Sequence, residues 1–306
     1  MESTMQHDRL ICLDIETVPD RDLIPADWPA DKFPKPIWHR VVAISFVEAR
    51  IERDESTDRE RYIVECCRSG GRADWDERRI LTAFWRHFAQ RNMRMVTWNG
   101  RAFDVAVLQL RSLIHGITAE AWSQRGNRWN NYAQRFAPDW HCDLMEVLSD
   151  YGASARMGLD EAALAMGLPG KIGGHGSEVE AMVERGDIEQ VRAYCEGDVL
   201  NLYALYVRWA FLTGRIDAAG HNASMESLVG CLEAGRAERP HLGEFLDRWQ
   251  SSDRPSPMLV AAPAVAATPV TPVPPARGLA ALRRRQTRGA RTRRQPLGNQ
   301  AATLFA

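Results

Sequence analysis

The sequence predicts an α/β protein in which helices pack on a mixed sheet. Three observations carry that prediction. Residues 10–13, 41–47 and 62–66 are short apolar runs of strand length, set close together early in the chain. A fourth such run, residues 93–98, comes only after a helical stretch. Most of the chain beyond that run, as far as Trp249, repeats at helical spacing. Strands first, then helices around one more strand, describe a sheet with helices laid on it. The early strands are expected to be antiparallel neighbours, which makes the sheet mixed.

Each element has a local reason. Residues 10–13 (LICL) end in acids and read as a buried strand. Residues 41–47 (VVAISFV) form the second strand and 62–66 the third, with the charged stretch 48–61 as the hairpin turn between them. Between Asp76 and Gln90, the residues Ile80, Leu81, Phe84, Trp85 and Phe88 share one side of a helix. After strand 93–98, Asn99-Gly100 makes a turn and residues 102–115 are helical. Residues 122–139 are polar and aromatic without a period. Residues 142–151 and 159–167 read as helices, and 169–177 (PGKIGGHGS), with His175, as a glycine-rich loop. Helices continue over 178–185 and 187–212, with two more before Trp249. From residue 251 the texture changes to Pro, Ala and Val without a period, then to Arg-rich sequence. Such composition cannot bury a core, so 251–306 is predicted to be a disordered tail.

Composition narrows the functional classes. The chain has 306 residues, 45% of them apolar, enough for a sizeable core. No apolar run approaches the roughly 20 residues that span a bilayer, so no membrane partner is expected. The N-terminus is polar and lacks an apolar signal core, so a cytoplasmic location is expected. Six cysteines occur (Cys12, Cys66, Cys67, Cys142, Cys195, Cys231) and none forms a C-x-x-C pair, so reduced core thiols are expected rather than a zinc site. The net charge of −1 hides an asymmetry: residues 251–306 hold nine Arg against one acid, so they carry +8 and residues 1–250 carry −9. An acidic body must hold any nucleic acid through local patches, metal ions or the tail.

The candidate chemistry lies in carboxylates. Asp14 and Glu16 leave the first strand on one face, because side chains alternate along a strand. Two carboxylates side by side repel unless a cation lies between them. The bland alternative is a strand end turning out to solvent. Asp58-Arg-Glu60 and Asp187-Ile-Glu189 share the D-x-E spacing, but both sit in charged stretches and read as solvated surface. Asp104 comes after the fourth strand, where α/β sheets collect ligands, although an acid in a first helical turn needs no further reason. Tyr194 and Asp198 stand at i and i+4, hence on one helix face, which Leu202 and Leu205 continue inward. Gly197 between them costs about 1 kcal/mol relative to Ala and suggests a close approach of something.

The joint order decides. A D-x-E at the end of the first strand, N-x-x-x-F-D after a later strand and Y-x-x-x-D in a late helix resemble the DEDD exonuclease superfamily in its tyrosine branch. The histidine branch would place His at position 193, which is Ala here. The stretches LDIETVPD, VTWNGRAFDVAVL, HCDLME, GLPGK and YCEGDVLNLYALYVR are similar to predicted 3′→5′ exonucleases related to the proofreading domain of family-B DNA polymerases. The resemblance implies a ribonuclease H-like mixed sheet flanked by helices over residues 1–250, the last ~40 being added helices. It implies 3′→5′ hydrolysis of single-stranded DNA, with RNA 3′ ends, or a catalytically silent nucleic-acid or clamp-binding module, as the alternatives. It further implies two divalent metal ions, Mg²⁺ or Mn²⁺. Asp14 would bridge both, Glu16 and Asp198 would complete the water-activating site, Asp104 would hold the second ion, and Tyr194 would orient the attacking water.

Other residues are secondary candidates. Thr17 and Asn99 neighbour the motifs and are candidates to touch the terminal nucleotide, and Lys171 is a candidate phosphate contact. Asp143 reads as a helix N-terminal acid rather than a metal ligand. Trp122, Trp129 and Tyr132 are stacking candidates whose ordinary fate is core packing. The tail arginines would add salt-dependent affinity for nucleic acid. The last peptide, Gln300-Ala-Ala-Thr-Leu-Phe305, loosely resembles sliding-clamp docking motifs, which makes a clamp a candidate partner.

Overall fold

The computed structural model describes residues 7–172 and 178–253. Residues 173–177 of the glycine-rich loop, with His175, and the tail from residue 254 on, with the Gln300-to-Phe305 peptide, lie outside the described residues. Among the described residues the fold is built on five strands: β1 (Arg9–Pro19), β2 (His39–Arg53), β3 (Glu60–Ser69), β4 (Met93–Thr97) and β5 (His141–Asp143). Their order in the sheet is β3-β2-β1-β4-β5. β2 lies antiparallel to both β1 and β3, while β4 runs parallel to β1 and to β5. This is the mixed sheet with flanking helices that the sequence predicts.

The helices are α1 (Glu77–Gln90), α2 (Asp104–His115), α3 (Glu120–Gln124), α4 (Leu144–Leu148), α5 (Leu159–Ala165), α6 (Val179–Glu184), α7 (Ile188–Leu212), α8 (Ala218–Gly235) and α9 (Pro240–Gln250). Alternation along β1 divides them between the two faces. Ile11, Leu13 and Ile15 pack into a core with residues of α1, α2 and α3. Leu10 and Cys12 point the other way, into a core shared with α5, α7, α8 and α9. Asp14 and Glu16 continue the period of Leu10 and Cys12, so β1 aims both carboxylates at the face that carries α7. The β1–β2 register shifts at the Glu16–Thr17 step, where β2 inserts Val42. Such a bulge bends the strand beside the two acids.

Three details differ from the sequence expectation. The hairpin turn is shorter than residues 48–61, because both strands continue into the charged stretch. Glu48 is buried there, with its carboxylate accepting from His87 Nε2 at 2.9 Å. Glu60 is likewise buried rather than solvated: Arg94 Nη1 and Nη2 reach it at 2.6 and 2.9 Å, and Arg53 Nη2 at 2.8 Å. Residues 142–151 are not one helix, since His141–Asp143 form the short edge strand β5 before α4 begins. Asp187 and Glu189 are exposed, as expected.

The outer edge of β3 is closed by side chains. Ser224 and Ser227 of α8 accept from the Tyr62 and Val64 backbone N–H groups, each at 2.9 Å. Glu196 of α7 accepts from the Ser69 N–H at 2.6 Å and from His241 Nε2 at 2.7 Å, tying α9 to the sheet. An edge with its donors satisfied is a poor template for pairing with another chain. Among the described residues no helix is long and apolar enough to cross a membrane.

Candidate active site

Asp14, Glu16, Asp104, Tyr194 and Asp198 line one cleft of about 470 Å³, together with Asn99, Lys171, Trp98, Phe103 and the loop residues Phe33, Pro34 and Pro36. The structure thus brings together all five residues of the ordered motif, and Asn99 and Lys171 with them. Thr17 is not among the lining residues.

β1 delivers Asp14 and Glu16. Asp104 arrives through the turn that ends β4. Asn99 adopts a left-handed conformation with φ 61°. At Gly100 an added Cβ would sit 2.3 Å from the Thr97 hydroxyl, so only glycine fits. The Asp143 carboxylate accepts from the backbone N–H of Asn99 at 3.0 Å and of Arg101 at 2.9 Å, and also from the Glu146 N–H at 3.3 Å. Asp143 is therefore the cap of α4 and the anchor of this turn, consistent with its reading as a helix N-terminal acid. Asp104 then opens α2 with its side chain buried, and the Ile15 backbone lends it a hydrogen bond.

α7 supplies Tyr194 and Asp198 one turn apart, with Leu202 and Leu205 buried below them. Gly197 makes no close approach: among the described residues no heavy atom outside its own helix lies within 4 Å of an added Cβ, which corrects the expectation drawn from its cost. Asn201 Nδ2 instead donates to the Gly197 carbonyl at 3.0 Å and to that of Gly170 at 2.8 Å. Asp160 accepts from the Lys171 N–H at 2.7 Å. Together they fix the loop so that Lys171 Nζ donates to the Tyr194 hydroxyl at 2.8 Å.

Electrostatics mark the site as starved of positive charge. Burial, then the charges of Asp104, Glu16 and Asp198, push the Asp14 carboxyl well above the usual carboxylate range. Burial and Asp198 do the same to Glu16, against the pull of Lys171. Asp104 is pushed up to about 7 and Asp198 to about 6, burial being the leading cause in both. Lys171 is the one cationic side chain among the described residues lining the cleft. Buried carboxylates in this state gain most from a bound cation. The donor set fits hard divalent ions, which prefer oxygen. One carboxylate oxygen each of Asp14 and Glu16 lies within 4.8 Å of the other and of the Cys195 sulfur. Cys195 Sγ donates to Asp14 Oδ2 at 3.4 Å, a contact that the sequence signals only by its place beside Tyr194.

The Tyr194 hydroxyl is raised in pKa by burial and by Asp198, Glu16 and Asp14, so it stays a neutral phenol. With Lys171 donating to its oxygen, its own proton is left to donate into the cleft. Thr17 has a different task. His39 Nε2 faces the Pro34 carbonyl at 3.2 Å and must carry a proton to bond it. Nδ1 of the neutral ring, kept neutral chiefly by burial, then accepts from the Thr17 hydroxyl at 3.0 Å. Thr17 thus supports the cleft wall through His39. Of the aromatic candidates, Trp122 and Tyr132 are buried in the core, whereas Trp129 is 70% exposed.

Residues 31–249 match the family described as predicted 3′–5′ exonuclease related to the exonuclease domain of PolB. The match takes in Asn99, Asp104, Lys171, Tyr194 and Asp198 and begins after Asp14 and Glu16. β1 pairing brings those two to the others. The chain is also similar to the structure of the family B DNA polymerase from the hyperthermophilic archaeon Pyrobaculum calidifontis, at 14% identity and a TM-score of 0.39, over 74% of this chain and 30% of the polymerase. It spans about a third of that polymerase's length, 30%. No curated protein matches the chain.

Proposed function

The chain belongs to the family of predicted 3′–5′ exonucleases related to the exonuclease domain of PolB, and we propose that it removes nucleotides hydrolytically from the 3′ ends of single-stranded DNA. The observation that carries this reading is the convergence of four carboxylates, a neutral tyrosine and one lysine on a single cleft. No one of these residues is diagnostic alone, and a DxE recurs elsewhere in the chain. Their convergence from β1, the β4–α2 turn and α7 supports a common task.

Asp14, Glu16, Asp104 and Asp198 would hold two divalent ions, Mg²⁺ or Mn²⁺. Such ions supply Lewis acidity, lower the pKa of bound water and neutralise charge at the phosphate. The residues do the rest. The acids are held apart from bulk water and gathered before any cation binds, so little reorganisation is required. Tyr194 remains protonated and donates its hydroxyl hydrogen into the cleft, which suits it to orient a water molecule rather than to deprotonate one. Lys171 bonds the phenol oxygen and is the one cationic side chain among the described residues lining the cleft. Asn99 offers an amide at the mouth. Thr17, through His39, sets the opposite wall.

The test uses purified protein and 5′-labelled single-stranded DNA and RNA, in Mn²⁺, Mg²⁺ or EDTA, with Asp14→Ala and Asp198→Ala alongside. The expected result is a ladder that shortens from the 3′ end, absent in EDTA and in both variants. Shortening that survives Asp14→Ala overturns the assignment. Equal or faster loss of RNA replaces the DNA reading with its RNA alternative.

A further inference from the structure

The cleft has two unlike halves. Its floor is acidic, with Asp14, Glu16, Asp104 and Asp198, while its wall is apolar, with Phe33, Phe103, Trp98 and two prolines. Phe33 stands out because it is 71% exposed although the loop that carries it is tightly built. That loop joins β1 to β2. Arg111, itself buried and held by Glu77, ties its two ends by reaching Asp20 Oδ2 at 2.8 Å and the Ile37 carbonyl at 3.2 Å. Inside the loop the Lys35 ammonium sits 5.3 Å from the centre of the Trp28 ring and 5.2 Å from that of Trp38. Phe33 then stacks on His39 with centroids 4.8 Å apart at 29°, and its ring lies 5.7 Å from Phe103. One face of Phe33 is thus backed by His39 while most of its ring remains open to solvent. A scattered apolar residue on a surface needs no explanation, but one backed by His39 and lining a charged cleft is a ready-made apolar contact.

A nucleic-acid end has two chemistries to place. Its phosphates belong with the acidic floor and the cations that floor would hold. Its bases carry flat apolar faces, which stack on aromatic rings without regard to sequence. We infer that Phe33 is the stacking platform for the bases at the 3′ end of the bound strand. The assignment rests on the proposed 3′-end hydrolysis and adds to it a residue that none of the ordered motifs contains.

The experiment is a chemical double-mutant cycle. Wild type, Phe33→Ala and Phe33→Trp are assayed with Mn²⁺ on two single-stranded oligonucleotides, one ending in natural bases and one whose last two nucleotides are abasic. On the natural end Phe33→Ala raises KM about 10-fold, the effect of one lost base–aromatic stack, and Phe33→Trp restores it. On the abasic end the three proteins behave alike. An equal loss on both ends, or no loss on either, overturns the platform while leaving the hydrolase reading intact. A second arm titrates the same oligonucleotides, 5′-fluorescein labelled, by anisotropy in Ca²⁺. If wild type shortens no strand, the proposed hydrolysis fails and this arm still decides: a preference for the base-bearing end that Phe33→Ala abolishes upholds the platform, and equal binding of both ends overturns it.

Discussion

At the scale of single residues the site trades stability for chemistry. Asp14 is pressed by Asp104, Glu16 and Asp198, and all four carboxyl groups are raised above their ordinary range. Removing one charge without changing shape relieves the others. Asp14→Asn is therefore expected to lower activity by more than about 100-fold, since even the partners behind a metal ligand are worth 10- to 100-fold, and to raise the melting temperature in EDTA. The sign of the pH dependence comes from the same shifts. Asp104 at about 7 and Asp198 at about 6 keep protons in the folded chain that the unfolded chain releases near pH 3.9. The stability they contribute is full below that lower value and is lost as pH rises through about 6 to 7. In EDTA the melting temperature should fall between about pH 5 and about pH 8, and a saturating divalent ion should flatten the fall by taking the place of the protons. A pH profile indifferent to added metal would contradict this account of the cleft.

At the scale of elements, the end of the sheet away from the cleft is held by charge rather than by apolar packing alone. Burial works against the Glu60 carboxylate, but Arg94, Arg215 and Arg53 overcome it and hold its pKa at about 2. Tyr62 adds a hydroxyl bond to the same carboxylate at 2.9 Å. Arg94→Ala leaves a buried carboxylate short of its main partner, which costs about 3–5 kcal/mol. Chemical denaturation should register that loss, while cleavage at low temperature stays near wild type because Arg94 is not among the cleft residues. This network also shows what was legible in the sequence. Apolar runs found β1, β2, β3 and β4, and helical spacing found α1, α2 and α7. Glu48 and Glu60 hid the true length of the hairpin, since a charged residue reads as turn until its partner is known. β5 has three residues, too few for any period, and its burial comes from pairing with β4. Within the site, Asp14, Glu16 and Asp104 were readable because each follows an apolar run, and Tyr194 and Asp198 because their i, i+4 spacing puts them on one face of α7. Phe33 and the linkage from Thr17 to His39 were not, because they depend on how an aperiodic loop folds back onto the cleft.

At the scale of the whole molecule, the proposed function leaves two sources of positive charge that could bring an anionic strand to an acidic body. Residues 1–250 carry −9, a total that includes the four acids of the cleft, whereas residues 251–306 carry +8. Under the proposed function, cations in the cleft would act at the scissile end and vanish with chelator. Arginines in the tail would act anywhere along the strand and be insensitive to chelator but sensitive to salt, because each phosphate contact releases counterions. The two contributions are therefore separable in one experiment. Full-length chain and a chain ending at Asp253 are titrated with single-stranded DNA over a range of salt, with and without EDTA. If all seven arginines from Arg283 to Arg294 meet phosphate, the slope of log affinity against log salt should be steeper for the full chain by up to about 5, at roughly 0.7 per contact. Binding that persists in EDTA should belong to the full chain alone, and metal-dependent shortening of a brief oligonucleotide should survive removal of the tail. An unchanged slope would assign the tail to something other than the strand and leave the metal ions to overcome the repulsion of the acidic body unaided.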